Sequence, residues 1–187
     1  SERTPDLPRR NGQKAFGLQS WIALPADKEE IAPSFQHYGT DVLPLVKDKG
    51  LSARVIAGKA FGRASPVGTV SDWFYVEVLL DAGMSAPLDP DYEERAIYVA
   101  EGEGEISGDR FAAPAMLIFR PGDRIAVKAL TRARLMFLGG AALEGPRHIW
   151  WNFVSSRKER IEQAKEDWKS GRFAPVPGET EFIPLPE

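Results

Sequence analysis

The run WFYVEVLL, at Trp73–Leu80, has the length and the β-branched and aromatic content of a β-strand. Similar short runs occur at Gly17–Leu24, Ser52–Ala57, Ala96–Ala100, Ala115–Phe119, Ile125–Ala129 and Ala133–Leu138. Turn signals such as Pro121–Gly122–Asp123 separate them, and no long helical pattern lies between them. Because βαβ units require such helices, the spacing predicts an antiparallel sandwich or barrel over about residues 17–140.

A helical pattern replaces the strand pattern after residue 140, and the sequence predicts one helix over Ser155–Gly171. Its apolar stripe consists of Ile161, Ala164 and Trp168. Ser156 and Glu159 have the spacing of a capping box at the helix start, and Gly171 stands where a left-handed C-cap belongs. The proline-rich segment Ala174–Glu187 is predicted to be an extended tail.

The composition excludes several kinds of protein and of site. With 24 basic and 27 acidic residues the net charge is −3, which argues against a broad electrostatic contact with nucleic acid. The chain has no cysteine and only two histidines, His37 and His148, so it cannot build a three-histidine metal site alone. We expect both histidines to have structural roles. The mild acidity and the absence of cysteine are typical of a cytoplasmic protein, which is the predicted location.

Acidic residues cluster twice along the chain. Asp89 and Asp91 lie in one loop, and Glu101, Glu103 and Glu105 alternate at a predicted hairpin end. Paired carboxylates can bind calcium or act as acid and base, but the first cluster lacks the ligand spacing of an EF-hand loop. Alternating glutamates at a hairpin end usually form its solvated face, so we expect no site there.

Several segments in a fixed order resemble the pirin family of bicupin proteins, in particular the bacterial pirin-like quercetin 2,3-dioxygenases. Gly145–Phe173, which begins GPRHIWWNF, is similar to the C-terminal signature of bacterial pirins. Gly17–Tyr38, which begins GLQSWIALP, resembles another segment of the family, and Arg54–Gly58 and Ser65–Val67 continue the same order.

The resemblance implies an all-β fold, a cupin or jelly-roll barrel (a double-stranded β-helix) with a C-terminal α-helix and an extended tail. Residues 1–16 would be a remnant of an N-terminal metal-binding cupin and its linker. Residues 17–140 would be the C-terminal cupin, and residues 141–187 the helix and tail that pack on the partner cupin. One more cupin of ordinary domain size implies an intact protein of about 290 residues.

In the family, the first cupin holds a metal, usually iron, through an H-x-H pair and a later H-[SA]-E segment. Ser1–Pro5, SERTP, resembles the continuation of that segment, so Glu2 matches the ligand glutamate. The histidine ligands have no match in this chain, and we expect Glu2 to be part of an incomplete site. The expected cofactor of the intact protein is iron or another divalent metal.

The second cupin departs from the general cupin metal motifs. Counting from Gly83 places Asp89 and Asp91 where the first motif has histidines, and the second motif fails at Met116 and Phe119. Two aspartates can hold a hard cation weakly. The favoured reading is a barrel without cofactor that has a structural role.

Three functions follow from the resemblance. The first is a metal-dependent dioxygenase acting on a flavonol, in which this chain alone is inactive and has no catalytic residue. The second is a redox-dependent regulator that binds a transcription factor or an enzyme, without direct contact to nucleic acid or membrane. The third is a structural cupin half that packs on the missing N-terminal cupin through residues near Trp150, Trp151 and Phe173.

Overall fold

A computed structural model describes residues 10–12, 16–175, 177–178 and 182–186 of the chain. The chain forms two compact units, one of Glu30–Leu143 and one that joins Ser1–Glu29 to Glu144–Glu187. These boundaries lie near residues 29 and 143, whereas the sequence analysis placed them near 16 and 140. Residues 17–29 therefore group with the C-terminal part of the chain and not with the strands.

Strands account for most of the regular structure. In chain order they are β1 (Leu45–Asp48), β2 (Leu51–Ala57), β3 (Lys59–Ala60), β4 (Arg63–Ala64), β5 (Trp73–Leu80), β6 (Ser85–Leu88), β7 (Glu94–Glu101), β8 (Glu103–Ile106), β9 (Asp109–Ala112), β10 (Ala115–Phe119), β11 (Ile125–Ala129), β12 (Ala133–Gly140), β13 (His148–Trp150) and β14 (Phe153–Ser155). A short 3-10 helix spans Ala26–Lys28, and the α-helix α1 spans Lys158–Lys169.

Two antiparallel sheets build the unit Glu30–Leu143. The larger sheet has six strands in the order β1-β2-β5-β12-β7-β10, and the smaller has four in the order β6-β11-β8-β9. The strands β3 and β4 form a separate hairpin. The predicted all-β barrel is thereby confirmed, and β5 coincides with the predicted strand at Trp73–Leu80.

The prediction of a strand at Gly17–Leu24 is wrong, because the structure has no strand there. Its composition suits a strand, but its last carbonyl has a partner outside any sheet. The oxygen of Leu24 accepts hydrogen bonds from the guanidinium of Arg147, at 2.9 Å from Nη2. A contact distant in sequence thus outweighs the local strand preference.

Alternate residues of each long strand point into the space between the two sheets. Along β5 the buried side chains alternate strictly with half-buried ones, as the period of a strand requires. The six-stranded sheet contributes Val55, Val76, Val78, Ile97, Val99, Leu135 and Phe137 to one apolar cluster. The four-stranded sheet contributes Ala86, Leu88, Val127 and Ala129 to the same cluster. Apolar side chains from both sheets therefore fill the interior of this unit.

Truncating an inward-facing ring of this cluster should destabilise the unit strongly. Phe137 is 1% exposed, so we expect Phe137→Ala to lower the free energy of unfolding by about 3–5 kcal/mol. Met116 lies in the same sheet but is 52% exposed. Met116→Ala should therefore change the free energy of unfolding by about 0.5 kcal/mol or less. Urea unfolding followed by fluorescence measures both, and equal losses would contradict the assignment of the core.

The second unit contains the β13–β14 hairpin and the helix α1. The helix ends in a Schellman motif, in which Gly171 has a φ of 65°. The N–H of Gly171 donates to the carbonyl of Trp168, and the N–H of Arg172 donates to the carbonyl of Asp167. The predicted C-cap glycine is therefore confirmed. The predicted capping box is wrong, because the N-cap is Arg157 and no side chain caps it. The Ser156 hydroxyl instead hydrogen-bonds Glu29, at 3.0 Å.

A buried ion pair ties the segment before Glu30 to the C-terminal segment within this unit. Glu29 lies 2.9 Å from Arg147, and their side chains are 9% and 6% exposed. The hydroxyls of Ser155 and Ser156 and the backbone N–H of Ser156 also donate to the Glu29 carboxylate. Burial alone would raise the pKa of Glu29, but these hydrogen bonds and the Arg147 guanidinium outweigh it and lower the pKa.

The lowered pKa makes the stability of this unit depend on pH. The folded state favours the ionised carboxylate, so its contribution is complete above the unfolded-state pKa and is lost as the pH falls through the folded-state pKa. We expect Glu29→Gln to cost about 3 kcal/mol at pH 7, because Arg147 is left buried without its charge partner. The difference between wild type and variant should shrink as the pH falls below the glutamate range.

Urea unfolding between pH 7 and pH 3 (roughly the range in which a glutamate titrates) measures this difference. Glu162→Gln is the matched control, because Glu162 forms an exposed ion pair with Lys165 on α1. The control should differ little from wild type at each pH. A Glu29→Gln difference that stays constant with pH would contradict the assignment.

Candidate functional site

The loop between β6 and β7 places the predicted cation ligands at a cavity and not inside the barrel. Asp89 and Asp91 both line this cavity, which has a volume of about 490 Å³. Asp72 and Tyr92 line it as well, together with residues 59–64 of the β3–β4 hairpin. The carboxylate of Asp89 accepts a hydrogen bond from the backbone N–H of Asp91, at 2.9 Å. We call this feature the hairpin cavity.

A buried arginine next to this loop was not anticipated from the sequence. Arg95 is 2% exposed and shares the inward face of β7 with Ile97 and Val99. Its guanidinium donates to the backbone carbonyls of Asp123 at 2.7 Å, Arg120 at 2.6 Å and Asp89 at 3.4 Å. One side chain thus holds the β6–β7 loop and the β10–β11 loop together. The period of a strand indicates that Arg95 is buried, because it puts residue 95 on the same face as residues 97 and 99.

The described residues do not bring together three or more side chains of the types that ligate metals. Across residues 10–12, 16–175, 177–178 and 182–186, no group of three or more histidine, cysteine, aspartate or glutamate residues is placed to hold one. Apolar side chains form the cluster between the two sheets. The alternative of a weak hard-cation site at the pair Asp89 and Asp91 stays a prediction.

The other candidate residues are exposed, half-buried or outside the described part of the chain. Glu2, the predicted metal ligand, lies outside the described residues. His37 and His148 are both exposed, the latter on β13. On β10, Met116 is exposed and Phe119 is half-buried.

Removing the Arg95 guanidinium should leave the carbonyls of two loops without donors. We expect Arg95→Met to lower the free energy of unfolding by about 3 kcal/mol, since a buried unsatisfied acceptor costs about 1–3 kcal/mol. Arg95→Lys should lower the free energy of unfolding by a smaller amount. An ammonium retains the charge but cannot span three carbonyls as a planar guanidinium does. Arg124→Met is the matched control at an exposed position. Chemical denaturation that finds Arg95→Met as stable as the control would refute the role.

The aromatic residues of the C-terminal signature pack together in their own unit. The Trp168 ring lies 5.1 Å from Trp151 and 5.7 Å from Phe182, and the Phe153 ring stacks on Phe173 at 5.8 Å. Trp168 also donates its indole N–H to the carbonyl of Ile183, at 2.8 Å. The described part of the tail is therefore held on α1. The predicted contact of this region with a partner cupin stays a prediction.

The sheet order and the antiparallel pairing define a cupin barrel, and comparison with solved structures agrees. A crystal structure of quercetin 2,3-dioxygenase from Acinetobacter baumannii superposes with a TM-score of 0.79 and 27% identity, over 89% of this chain and 57% of that one. The family described as Pirin C-terminal cupin domain matches residues 75–174. The chain belongs to the pirin family, of which it contains the C-terminal cupin domain.

Curated relatives carry the same name. A pirin-like protein of Caulobacter vibrioides is 49% identical over 189 residues, which cover 100% of this chain and 65% of the relative. A second pirin-like protein of that organism is 31% identical, over 90% of this chain and 62% of the relative. The chain thus spans somewhat less than two thirds of the length of these relatives.

The helices were also compared with the dimensions of a lipid bilayer. None of the helices within the described ranges combines the length and the apolar character that a membrane crossing requires.

Proposed function

We propose that this chain is the metal-poor C-terminal part of a two-cupin protein with metal-dependent quercetin 2,3-dioxygenase-like activity. The observation that carries the proposal is the similarity to the Acinetobacter baumannii quercetin 2,3-dioxygenase, which extends over 89% of this chain but only 57% of that one. The remaining length of that relative leaves room for a second domain. Iron is the first candidate for the metal, and a flavonol is the substrate class.

In this proposal the chain supplies a scaffold, which is supported by the lack of any group of three or more metal-ligating side chains among its described residues. The apolar cluster occupies the interior that would otherwise receive a ligand. The Arg95 guanidinium holds the loops beside Asp89. Metal chemistry is therefore assigned to the preceding cupin, to which Glu2 would contribute one carboxylate ligand.

Quercetin consumption tests where the activity lies. We expect the 187-residue chain to bind no stoichiometric iron and to leave the flavonol absorbance unchanged. The same protein extended by a preceding cupin should bind iron and consume quercetin. If the chain alone consumes quercetin as fast as the extended protein, the assignment of the site to the preceding cupin fails.

In the extended protein, Glu2→Gln should lower iron content and quercetin turnover by at least about tenfold, because loss of a ligand should cost at least as much as loss of a residue that supports one. Glu159→Gln, on α1, is the matched control and should leave both unchanged. Metal analysis together with the rate of absorbance loss separates a lost ligand from a lost fold. Equal iron content in both variants would remove Glu2 from the site.

Exposed apolar residues of the unit formed by Ser1–Glu29 and Glu144–Glu187 support the proposal that a partner cupin packs on this unit. Large apolar side chains are exposed at Phe16 (66%), Trp21 (55%), Ile149 (66%) and Phe182 (61%). A partner cupin that packs on this unit would cover such side chains. The chain alone should therefore bind an apolar dye or self-associate, whereas the extended protein should do neither.

A further inference from the structure

The hairpin cavity carries charges of both signs that do not pair with each other. Lys59 and Arg63 come from the β3–β4 hairpin, whereas Asp72, Asp89 and Asp91 come from two other segments. Within the part of the chain that the structure describes, no salt bridge joins these two cations to these three carboxylates. The cavity therefore offers positive and negative groups that a ligand with both charges can satisfy.

The acidic groups act together on one hydroxyl. Burial raises the pKa of Tyr92, and the carboxylates of Asp72, Asp89 and Asp91 raise it further. The Tyr92 hydroxyl therefore stays protonated as a donor, in a region of negative potential. The Tyr92 hydroxyl donates a long hydrogen bond, 3.5 Å, to the backbone carbonyl of Lys59, so the β6–β7 loop meets the hairpin here.

The aromatic walls of the cavity are anchored in the apolar core. The Tyr92 ring lies 4.6 Å from the buried ring of Phe74, and the Phe61 ring lies 6.3 Å from that of Phe137. Phe61 has a φ of 50°, a left-handed conformation that costs energy for an aromatic residue and is maintained by this packing. The walls are thus pre-organised, which reduces the entropy that a ligand would lose on binding.

We propose that the hairpin cavity binds a small zwitterion of the amino-acid class. Its ammonium group would contact the carboxylates of the β6–β7 loop, Asp89 and Asp91, and its carboxylate would contact Lys59 and Arg63. An apolar side chain would contact the rings of Phe61 and Tyr92. The cavity, of about 490 Å³, is open to solvent, so part of a bound small molecule would stay exposed. A metal ion is not the expected ligand, because the described residues provide no group of three suitable ligands.

Isothermal titration calorimetry with three matched probes tests the need for both charges. L-phenylalanine has an ammonium and a carboxylate, phenethylamine lacks the carboxylate, and 3-phenylpropionate lacks the ammonium. We expect L-phenylalanine to bind at least about fivefold more tightly than either of the others, because each loses its charge-assisted contacts at one end. Equal binding of the three probes would overturn the proposal. So would the absence of saturable L-phenylalanine binding at about 10 mM, ten times a millimolar Kd.

Variants of cavity residues test whether L-phenylalanine binds in the hairpin cavity. Asp91→Asn and Arg63→Met should each weaken L-phenylalanine binding by about threefold to tenfold. Asp109→Asn and Arg110→Met change the same residue types at exposed positions of β9 outside the cavity, and should not affect binding. Melting curves establish that all four variants fold. Unchanged binding in both cavity variants would overturn the proposal, as would displacement of L-phenylalanine by Ca²⁺ or Mg²⁺.

Discussion

The apolar filling between the two sheets is the constraint on which the rest of the barrel depends. Each long strand turns alternate side chains inward, and those side chains meet in one apolar cluster. The charged side chain of Arg95 enters this interior from β7, and its two terminal nitrogens donate hydrogen bonds to carbonyls of two loops. The hairpin cavity, by contrast, is lined by charged residues of a hairpin and of loops.

The C-terminal unit rests on a comparable electrostatic arrangement. Arg147, Ser155 and Ser156 belong to the segment that resembles the pirin signature, and all three contact Glu29, more than a hundred residues earlier in the chain. A buried carboxylate requires such a set of donors, since leaving either charge unpaired is costly. Part of the family resemblance thus has a structural explanation that does not involve a metal or a substrate.

Local patterns predicted the barrel well and failed where distant partners intervene. The strands at Trp73–Leu80 and Ala115–Phe119 coincide with the predicted runs, because strand content and burial follow neighbouring residues. Gly17–Leu24 has a similar composition, yet Arg147 binds the Leu24 carbonyl and no strand forms. Ser156 has the spacing of a helix cap but hydrogen-bonds Glu29. Neither partner is visible in the local sequence.

The sequence by itself determined the all-β barrel, the C-terminal helix with its glycine cap, the family, and the absence of a three-histidine site in this chain. These properties depend on periodicity, on short-range turn chemistry and on composition. Only the tertiary structure decided that Arg95 is buried at the barrel end, that Glu29 pairs with Arg147, and that charges of both signs line one cavity. The reason is that buried charges must find partners wherever the fold places them, at sequence separations that no local pattern records.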